Sequence, residues 1–396
     1  MSETLTTPTV AEAGDTDGNT AGGVAASAEE QAAARVGAAA EQLIGMLGSA
    51  TELLTIELGR RFGFYRTLHE RGPMTETMFA ATTGVTPRYV REWLEQQAAA
   101  GYVSVEEQGP FGHERRFLLP AHLVPVLVDE SHPAHVAPVA GMLAGVALAF
   151  PELVADFRAG HGVAFEEYGA ELRRGLGALN RPTFTLQMRA WVETLADRAA
   201  ALDAGGAVLD AGCGIGWSTI ALANAFPNAR IVGLDLDEAS IEEARVNASR
   251  AGLGDRIRFV LGNAGDAAAV RHAAGLVGAE ASGFDLITVF EALHDMGRPV
   301  DALVAFRTLL RQGGALLVAD ERVADEFHAG AEPVERMLYA MSVLHCLPAT
   351  IAESDTVANG TVLRAPTVRR WAAEAGFGRV DVLDIENPFW RFYRVG

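Results

Sequence analysis

A run of small residues closes an apolar stretch at Val208-Leu-Asp-Ala-Gly-Cys-Gly-Ile-Gly-Trp217. The pattern is that of a short buried strand breaking into a glycine-rich turn, then a helix through Ser218 to Ala225. A second apolar strand, Ile231-Val-Gly-Leu-Asp235, ends in an acid roughly 20 residues beyond the turn. Glycines let the backbone approach a ligand, and an acid at that distance takes the hydroxyls of a ribose. Together they point to an α/β sheet that binds an adenosine cofactor. A bare strand–helix turn needing positive φ explains the glycines but neither Asp210 nor Asp235.

The dinucleotide fingerprint is Gly-x-Gly-x-x-Gly, which seats a pyrophosphate on a helix N-terminus. Here the spacing is Asp210-x-Gly212-x-Gly214-x-Gly216, so the third glycine comes one residue early and an acid closes the strand. That acid repels a pyrophosphate but suits a ligand with an ammonium and a sulfonium, and S-adenosylmethionine (SAM) carries both. A nicotinamide or flavin is the remaining alternative. No His/Cys/Asp group has metal-ligand spacing, His345-Cys346 being too short, so no metal is expected.

The turn resembles the first motif of the class I SAM-dependent methyltransferases. The resemblance implies that Asp210, Gly212 and Gly214, with Cys213 and Gly216 between and after them, surround the methionine part of SAM. It also implies that Asp235, beside Leu236, binds the ribose, and that S-adenosylhomocysteine leaves as product. The family commonly has an acid where Asn263 stands, against the adenine amine. Asn263 keeps a carbonyl acceptor for that bond, with Ala264 beside it and Asp266 as a possible substitute acid.

After the fourth expected strand comes Phe290-Glu-Ala-Leu-His-Asp-Met-Gly-Arg-Pro299. Phe290 is counted with the cofactor site and Glu291 with the acceptor pocket. The Leu-His-Asp segment resembles that of winged-helix O-methyltransferases, whose histidine removes the acceptor's proton. The chemistry agrees, because a phenol of pKa about 10 is a poor nucleophile at neutral pH and histidine is suited to deprotonating it. His294, Asp295 and Glu321 are the catalytic candidates. On a helix, sequence neighbours do not face each other, so the acid orienting His294 is expected at the fifth strand end, Asp320 or Glu321, rather than Asp295. Alternatively His294 only binds the acceptor. The Asn/Asp-Pro-Pro-Tyr/Phe segment of amine-directed methyltransferases is absent after this strand.

Three further groups are candidates, each with ordinary packing as the competing reading. Phe165 and Tyr168 precede the first strand of the sheet and are placed to fold over the site, Tyr168 toward the cofactor and Phe165 toward the acceptor. Met337, Met341 and His345, with Tyr339 beside them, form a stripe at helical spacing within a long segment from Phe327 to Leu363 and are expected to line the acceptor pocket.

These residues need a scaffold. Strands are expected at 207–210, 230–235, 257–261, 284–290, 313–320, 379–384 and 389–394, alternating with helices until a final antiparallel pair. The fold class is α/β: a Rossmann-like, seven-stranded, mostly parallel sheet behind an N-terminal, mainly helical winged-helix domain. Thr75 to Ala81, then Thr83 to Leu94 with Thr86 before Pro87, read as helix, turn, helix. Gly101 to Glu106 and Arg116 to Pro120 read as wing strands. The expected boundaries are a disordered tail at 1–33, a winged-helix dimerisation and lid domain at 34–130, a helical linker at 131–203 and the methyltransferase domain at 204–396. The resemblance covers about 50 to 396 and is to a bacterial group, common in actinobacteria, that includes natural-product enzymes.

Composition bounds the partners. Net charge is −19 over 396 residues, which disfavours nucleic acid and acidic membranes because phosphates demand concentrated positive charge. The richest apolar run, Val136 to Phe150, is shorter than the ~20 residues of a spanning helix and reads as a buried helix. Two cysteines and no secretory pattern suggest the cytoplasm. The expected function is SAM-dependent methylation of a small apolar or aromatic metabolite by a homodimer, on oxygen first and on ring carbon second. The rivals are a SAM-responsive regulator using the winged helix, and a SAM fold turned to other chemistry.

Overall fold

A computed structural model describes residues 27–108, 114–195, 197–353 and 355–396. The expected tail thus falls outside the described residues up to residue 26, and residues 28–33 belong to a helix instead. That helix, α1 (Ala28–Arg61), opens with a reciprocal cap. The Glu30 amide donates to Ser27 Oγ at 3.2 Å, and the Ser27 amide to Glu30 Oε2 at 2.7 Å. Its stretch to Ala50 is a unit of its own, with Val36, Leu43, Ile44 and Leu47 exposed.

Within Thr51–Gly396, α2 (Phe64–Arg71), α3 (Glu76–Thr83) and α4 (Pro87–Ala99) are followed by strands β1 (Ser104–Gln108) and β2 (Glu114–Leu118). The two strands pair antiparallel with Ser104 opposite Leu118, completing the winged helix. Thr75 caps α3 through Met78 N, whereas Thr86 gives α4 no side-chain cap although Pro87 opens it. Helix α4 buries Val90, Trp93, Leu94 and Gln97, with the Trp93 ring 4.7 Å from Phe64 and 5.2 Å from Tyr65. Its arginines are committed to carboxylates: Arg88 to Glu92, and Arg91 to Glu76 at 2.8 Å.

Helices α5 (Val124–Leu127), α6 (Val139–Ala159), α7 (Gly169–Glu193) and α8 (Arg198–Asp203) lead to the sheet. The run Val136–Phe150 reads from sequence as a buried helix. Instead α6 buries one face, including Ala140, Val146, Ala149 and Leu153, and leaves Leu148, Phe150, Val154 and Phe157 exposed. By length and composition α6 would also cross a membrane, but its inner face is packed against Leu172 of α7. The expected linker is more than a connection. Phe184, Met188, Trp191 and Val192 of α7, and Leu202 of α8, enter a core shared with the sheet.

The sheet region runs β3 (Ala207–Ala211), α9 (Trp217–Ala225), β4 (Arg230–Asp235), α10 (Glu238–Arg250), β5 (Ile257–Leu261), α11 (Ala267–Leu276), β6 (Phe284–Phe290), α12 (Pro299–Leu309) and β7 (Leu310–Glu321). It continues through α13 (Pro333–Met341), α14 (Leu347–Ala352), α15 (Ala365–Glu374), β8 (Val380–Val382) and β9 (Trp390–Val395). The strand order is β5-β4-β3-β6-β7-β9-β8, parallel except for β9, which runs antiparallel to β7 and β8. Strands β3 and β6 are buried along their whole length, as strands covered by helices on both faces must be.

The chain adds β4 and β5 on one side of β3, then β6 and β7 on the other. The loops after β3 and β6 therefore frame the crevice where such sheets bind ligands. They touch at Gly212, whose φ is +72° and whose absent Cβ would stand 2.3 Å from that of Ala292. Left-handed strain and overpacking together cost about 2 kcal/mol or more. Gly212→Ala should accordingly lower the melting temperature by about 2–3 °C or more; an unchanged melt would show that the two loops yield freely.

Candidate active site

The glycine turn is held from below and from the side by the two acids that flagged it. Asp210 is buried and accepts from Ser218 Oγ and Thr219 Oγ1, both at 2.6 Å, and from Thr288 Oγ1 at 2.8 Å. Its carboxylate thus ties β3, the start of α9 and β6 together, with three of its about four acceptor sites taken by hydroxyls. Burial raises its pKa, and the three hydroxyls oppose that. Asp235 accepts from the Gly214 amide at 2.7 Å and the Asp237 amide at 2.9 Å. A carboxylate has about four acceptor sites, so two remain for ribose hydroxyls. Burial pushes Asp235 up to about 6, against those two amides.

Gly214 lies at φ +49° with nothing within 4 Å of the position its Cβ would take. The backbone there is bare toward open space, a cradle that a ligand can fill. Cys213 is buried beneath it and Leu236 is exposed next to Asp235. Ala264 is buried, and Asn263 spends its carbonyl on the Gly265 amide at 2.7 Å while its Nδ2 donates to Glu353 at 3.2 Å. Glu353, which also accepts from the Gly297 amide at 3.2 Å, joins this corner from the end of α14; no sequence signal had marked it.

Two residues assigned to the cofactor face elsewhere. The Phe290 ring is enclosed by Phe184, at 5.4 Å, and Trp191, at 5.9 Å, in the core beneath α7. The buried ring of Tyr168 packs edge-on against His345 at 4.7 Å, its hydroxyl donating to the Leu344 carbonyl at 2.9 Å. A strand end or a loop position in sequence does not tell which way a side chain turns.

Past β6 the chain makes a turn rather than a helix. Glu291 takes φ +48° and accepts from Trp390 Nε1 at 2.6 Å and from Asn180 Nδ2. His294 is buried, with Nδ1 2.8 Å from Asp320 Oδ1 and Nε2 3.2 Å from Asp295 Oδ1. Asp320, near the end of β7, thus stands where one of the two acids expected to face His294 was placed. Asp295, expected to point away, flanks the ring because the helical geometry behind that expectation is absent. Glu321 is buried and lies in the same electrostatic cluster, its proton affinity raised by burial and then by Glu291. Burial alone would strip His294 of its proton, but Asp295 and Asp320 outweigh it and lift its pKa well above the usual value.

The acceptor-side residues divide. Helix α13 continues into a π-helical turn, Ser342–Cys346, and then α14. The turn buries His345 between Phe165, at 5.4 Å, and Tyr168, and burial drives its pKa down to about 3. Met341 packs beside this group, whereas Met337 is exposed and Tyr339 accepts from Arg364 Nη2 at 2.6 Å. His345 and Phe165 thus meet, while Met337 and Tyr339 stand apart from them. Three donors now meet as well, His294, Asp295 and Cys346, a grouping that sequence spacing did not reveal. The Asn180–Glu291–Trp390 bonds were equally unmarked, since they join α7, the turn after β6 and β9.

Known proteins match this architecture. Residues 202–370 match the family profile described as a methyltransferase domain, and residues 50–128 that of an Rv2258c-like winged HTH domain. A 34% identical stretch of 109 residues matches an uncharacterised Synechococcus protein, covering 28% of this chain and 24% of that one. The chain thus spans about a quarter of that relative. A ubiquinone biosynthesis O-methyltransferase of Stutzerimonas stutzeri is 26% identical over 193 residues, 48% of this chain and 73% of its own. Among solved structures, a mitomycin 7-O-methyltransferase superposes with a TM-score of 0.61 at 22% identity, over 92% of this chain and 99% of that one. Human N-acetylserotonin methyltransferase, solved with SAM, gives 0.65 at 14% identity over 90% and 97%.

Proposed function

For a chain that joins a class I SAM-dependent methyltransferase domain to a winged-helix domain, we propose methyl transfer to a hydroxyl of a small apolar or aromatic metabolite, with His294 as the base. The observation that carries this reading is the buried contact, 2.8 Å long, between Asp320 of β7 and His294, which stands on the loop that touches the glycine turn through Ala292. SAM, when bound, supplies a methyl group on a sulfonium. Gly214 and Asp235 are placed to receive it, with Asn263 at the adenine end. Asp320 accepts the Nδ1 proton and leaves Nε2 as the lone-pair nitrogen, which takes the acceptor's hydroxyl proton as the oxygen attacks. Asp320 then stabilises the imidazolium so formed.

Winged helices also bind DNA, but α4 has both its arginines paired with carboxylates. Absence of binding to DNA at low salt is the expected outcome. Dimerisation through the N-terminal region is part of the same proposal, supported by the apolar residues that α1 exposes. The decisive experiment pairs calorimetry of SAM and S-adenosylhomocysteine with transfer of labelled methyl to a panel of phenols and indoles. Label on phenols supports the reading, label on indole carbon alone moves it to C-methylation, and absence of SAM binding overturns it.

The acids around His294 give the reaction a pH signature. Only neutral His294 can take a proton, and its pKa stands above the ordinary ~6.5. The rate should therefore rise with pH through a limb above that value. Asp320→Asn removes one of the charges holding the proton and should shift the limb to lower pH while reducing the plateau. A flat kcat/KM from about pH 6 to about pH 9 would remove His294 from the proton transfer.

A further inference from the structure

The turn after β6 and the π-helical turn of Ser342–Cys346 bring together three donors of the kinds that hold a transition metal. His294, Asp295 and Cys346 each offer one ligand atom, these atoms all lie within 4.8 Å of one another, and His294 Nε2 is 3.2 Å from Asp295 Oδ1. Zinc–ligand bonds of about 2.0–2.3 Å in a tetrahedron put donor atoms roughly 3.3–3.8 Å apart. Closing the cluster onto one ion thus needs only small side-chain movements.

The surroundings fit the same ion. The other nitrogen of His294 is hydrogen-bonded to the buried Asp320 carboxylate, the arrangement that orients metal-binding histidines and fixes which nitrogen carries the lone pair. Asp295 Oδ1 is buried without a hydrogen-bond partner. His345 Nδ1 stands 3.2 Å from Cys346 Sγ, and its Nε2 has no partner either. Asp320 and Glu321, buried at the end of β7, bring two further carboxylates to the cluster.

We propose that His294, Asp295 and Cys346 bind one thiophilic divalent cation, Zn²⁺ foremost, with a fourth position left for water. A thiolate–imidazole–carboxylate set selects such ions over Mg²⁺ and Ca²⁺. Binding releases the Cys346 thiol proton to solvent. The ion occupies the Nε2 lone pair, so it competes with the use of His294 as a base. That consequence rests on the proposed function; the binding itself does not.

The test uses the full chain without a histidine tag, freed of metal by a chelator. Zn²⁺ is titrated against a chromophoric chelator, Co²⁺ binding is followed by absorption, and SAM binding is measured on the same preparation. One Zn²⁺ per chain is expected, undisplaced by excess Mg²⁺, with a cobalt–thiolate charge-transfer band that survives Cys213→Ser and is lost in Cys346→Ser. Asp320→Asn should weaken Zn²⁺ about 10–100-fold. No stoichiometric Zn²⁺, or undiminished binding in Cys346→Ser, overturns the proposal. If Cys346→Ser is unfolded by circular dichroism, Asp295→Asn decides, and unchanged Zn²⁺ affinity in it overturns the proposal equally. SAM binding without Zn²⁺ binding ends the metal site alone and leaves the methyltransferase reading intact.

Discussion

His294→Ala is expected to lower methyl-transfer turnover at least about a hundredfold while leaving SAM affinity unchanged. The size follows from the acceptor. A phenol of pKa about 10 is ionised to about one part in a thousand at neutral pH, so a positioned base has a large fraction to recover. His294 is fitted for that task by burial and by the 2.8 Å contact from Nδ1 to Asp320, which directs the proton of the neutral ring to Nδ1. SAM affinity should hold because the glycine turn is braced independently, through Asp210 and its three hydroxyl partners. Single-turnover transfer of labelled methyl, alongside calorimetry of SAM, checks both halves. A loss of less than about tenfold would mean that His294 only holds the acceptor, since general-base assistance contributes about two to four powers of ten. A parallel loss of SAM affinity would mean that the turn after β6 supports the cofactor loop through Ala292.

What the sequence reveals and what it withholds divides along physical lines. The strands of the sheet are legible because residues buried on both faces make mostly apolar runs, as in Ile231–Leu234 and Ala315–Ala319, and these announce themselves locally. The glycine turn is legible because positive φ tolerates few residue types, and Asp235 because an acid closing the next apolar strand is a local pattern. Side-chain direction is a different matter. Phe290 and Tyr168 sit beside the site in sequence but turn into cores built by α7 and by His345. Asp295 was expected to point away only because a helix was assumed; in a turn it flanks the imidazole. The π-helical turn that carries His345 and Cys346 leaves no periodicity to read, because it inserts a single wide turn between two ordinary helices. Glu353, Asn180 and Trp390 enter through contacts between segments far apart in the chain, which a single sequence does not encode in any local pattern.

Asp235→Ala should weaken SAM binding about a hundredfold or more, and the reason is that this carboxylate has two duties. It holds the Gly214 amide at 2.7 Å and the Asp237 amide at 2.9 Å, fixing the backbone that faces the ligand, and its remaining acceptor sites are those available to ribose hydroxyls. Hydrogen bonds to a charged group contribute about 1.5–3 kcal/mol each, so losing two of them accounts for the expected change even before the turn relaxes. Gly214→Ala separates the duties. Its Cβ would meet no atom within 4 Å, so it should cost less stability than Gly212→Ala, yet it projects a methyl group into the space left for the ligand and should weaken SAM as well. Asp235 also sets a pH dependence. Burial holds its pKa at about 6 in the free protein, and ribose hydroxyls donate to the ionised form. SAM affinity should therefore be full above that value and fall as pH drops through it. Calorimetry of wild type and Asp235→Ala across this range makes the assignment testable. A wild-type affinity that falls and a mutant affinity that is already weak and flat would place the ribose on Asp235. Equal affinities for the two would move it elsewhere along the edge of β4.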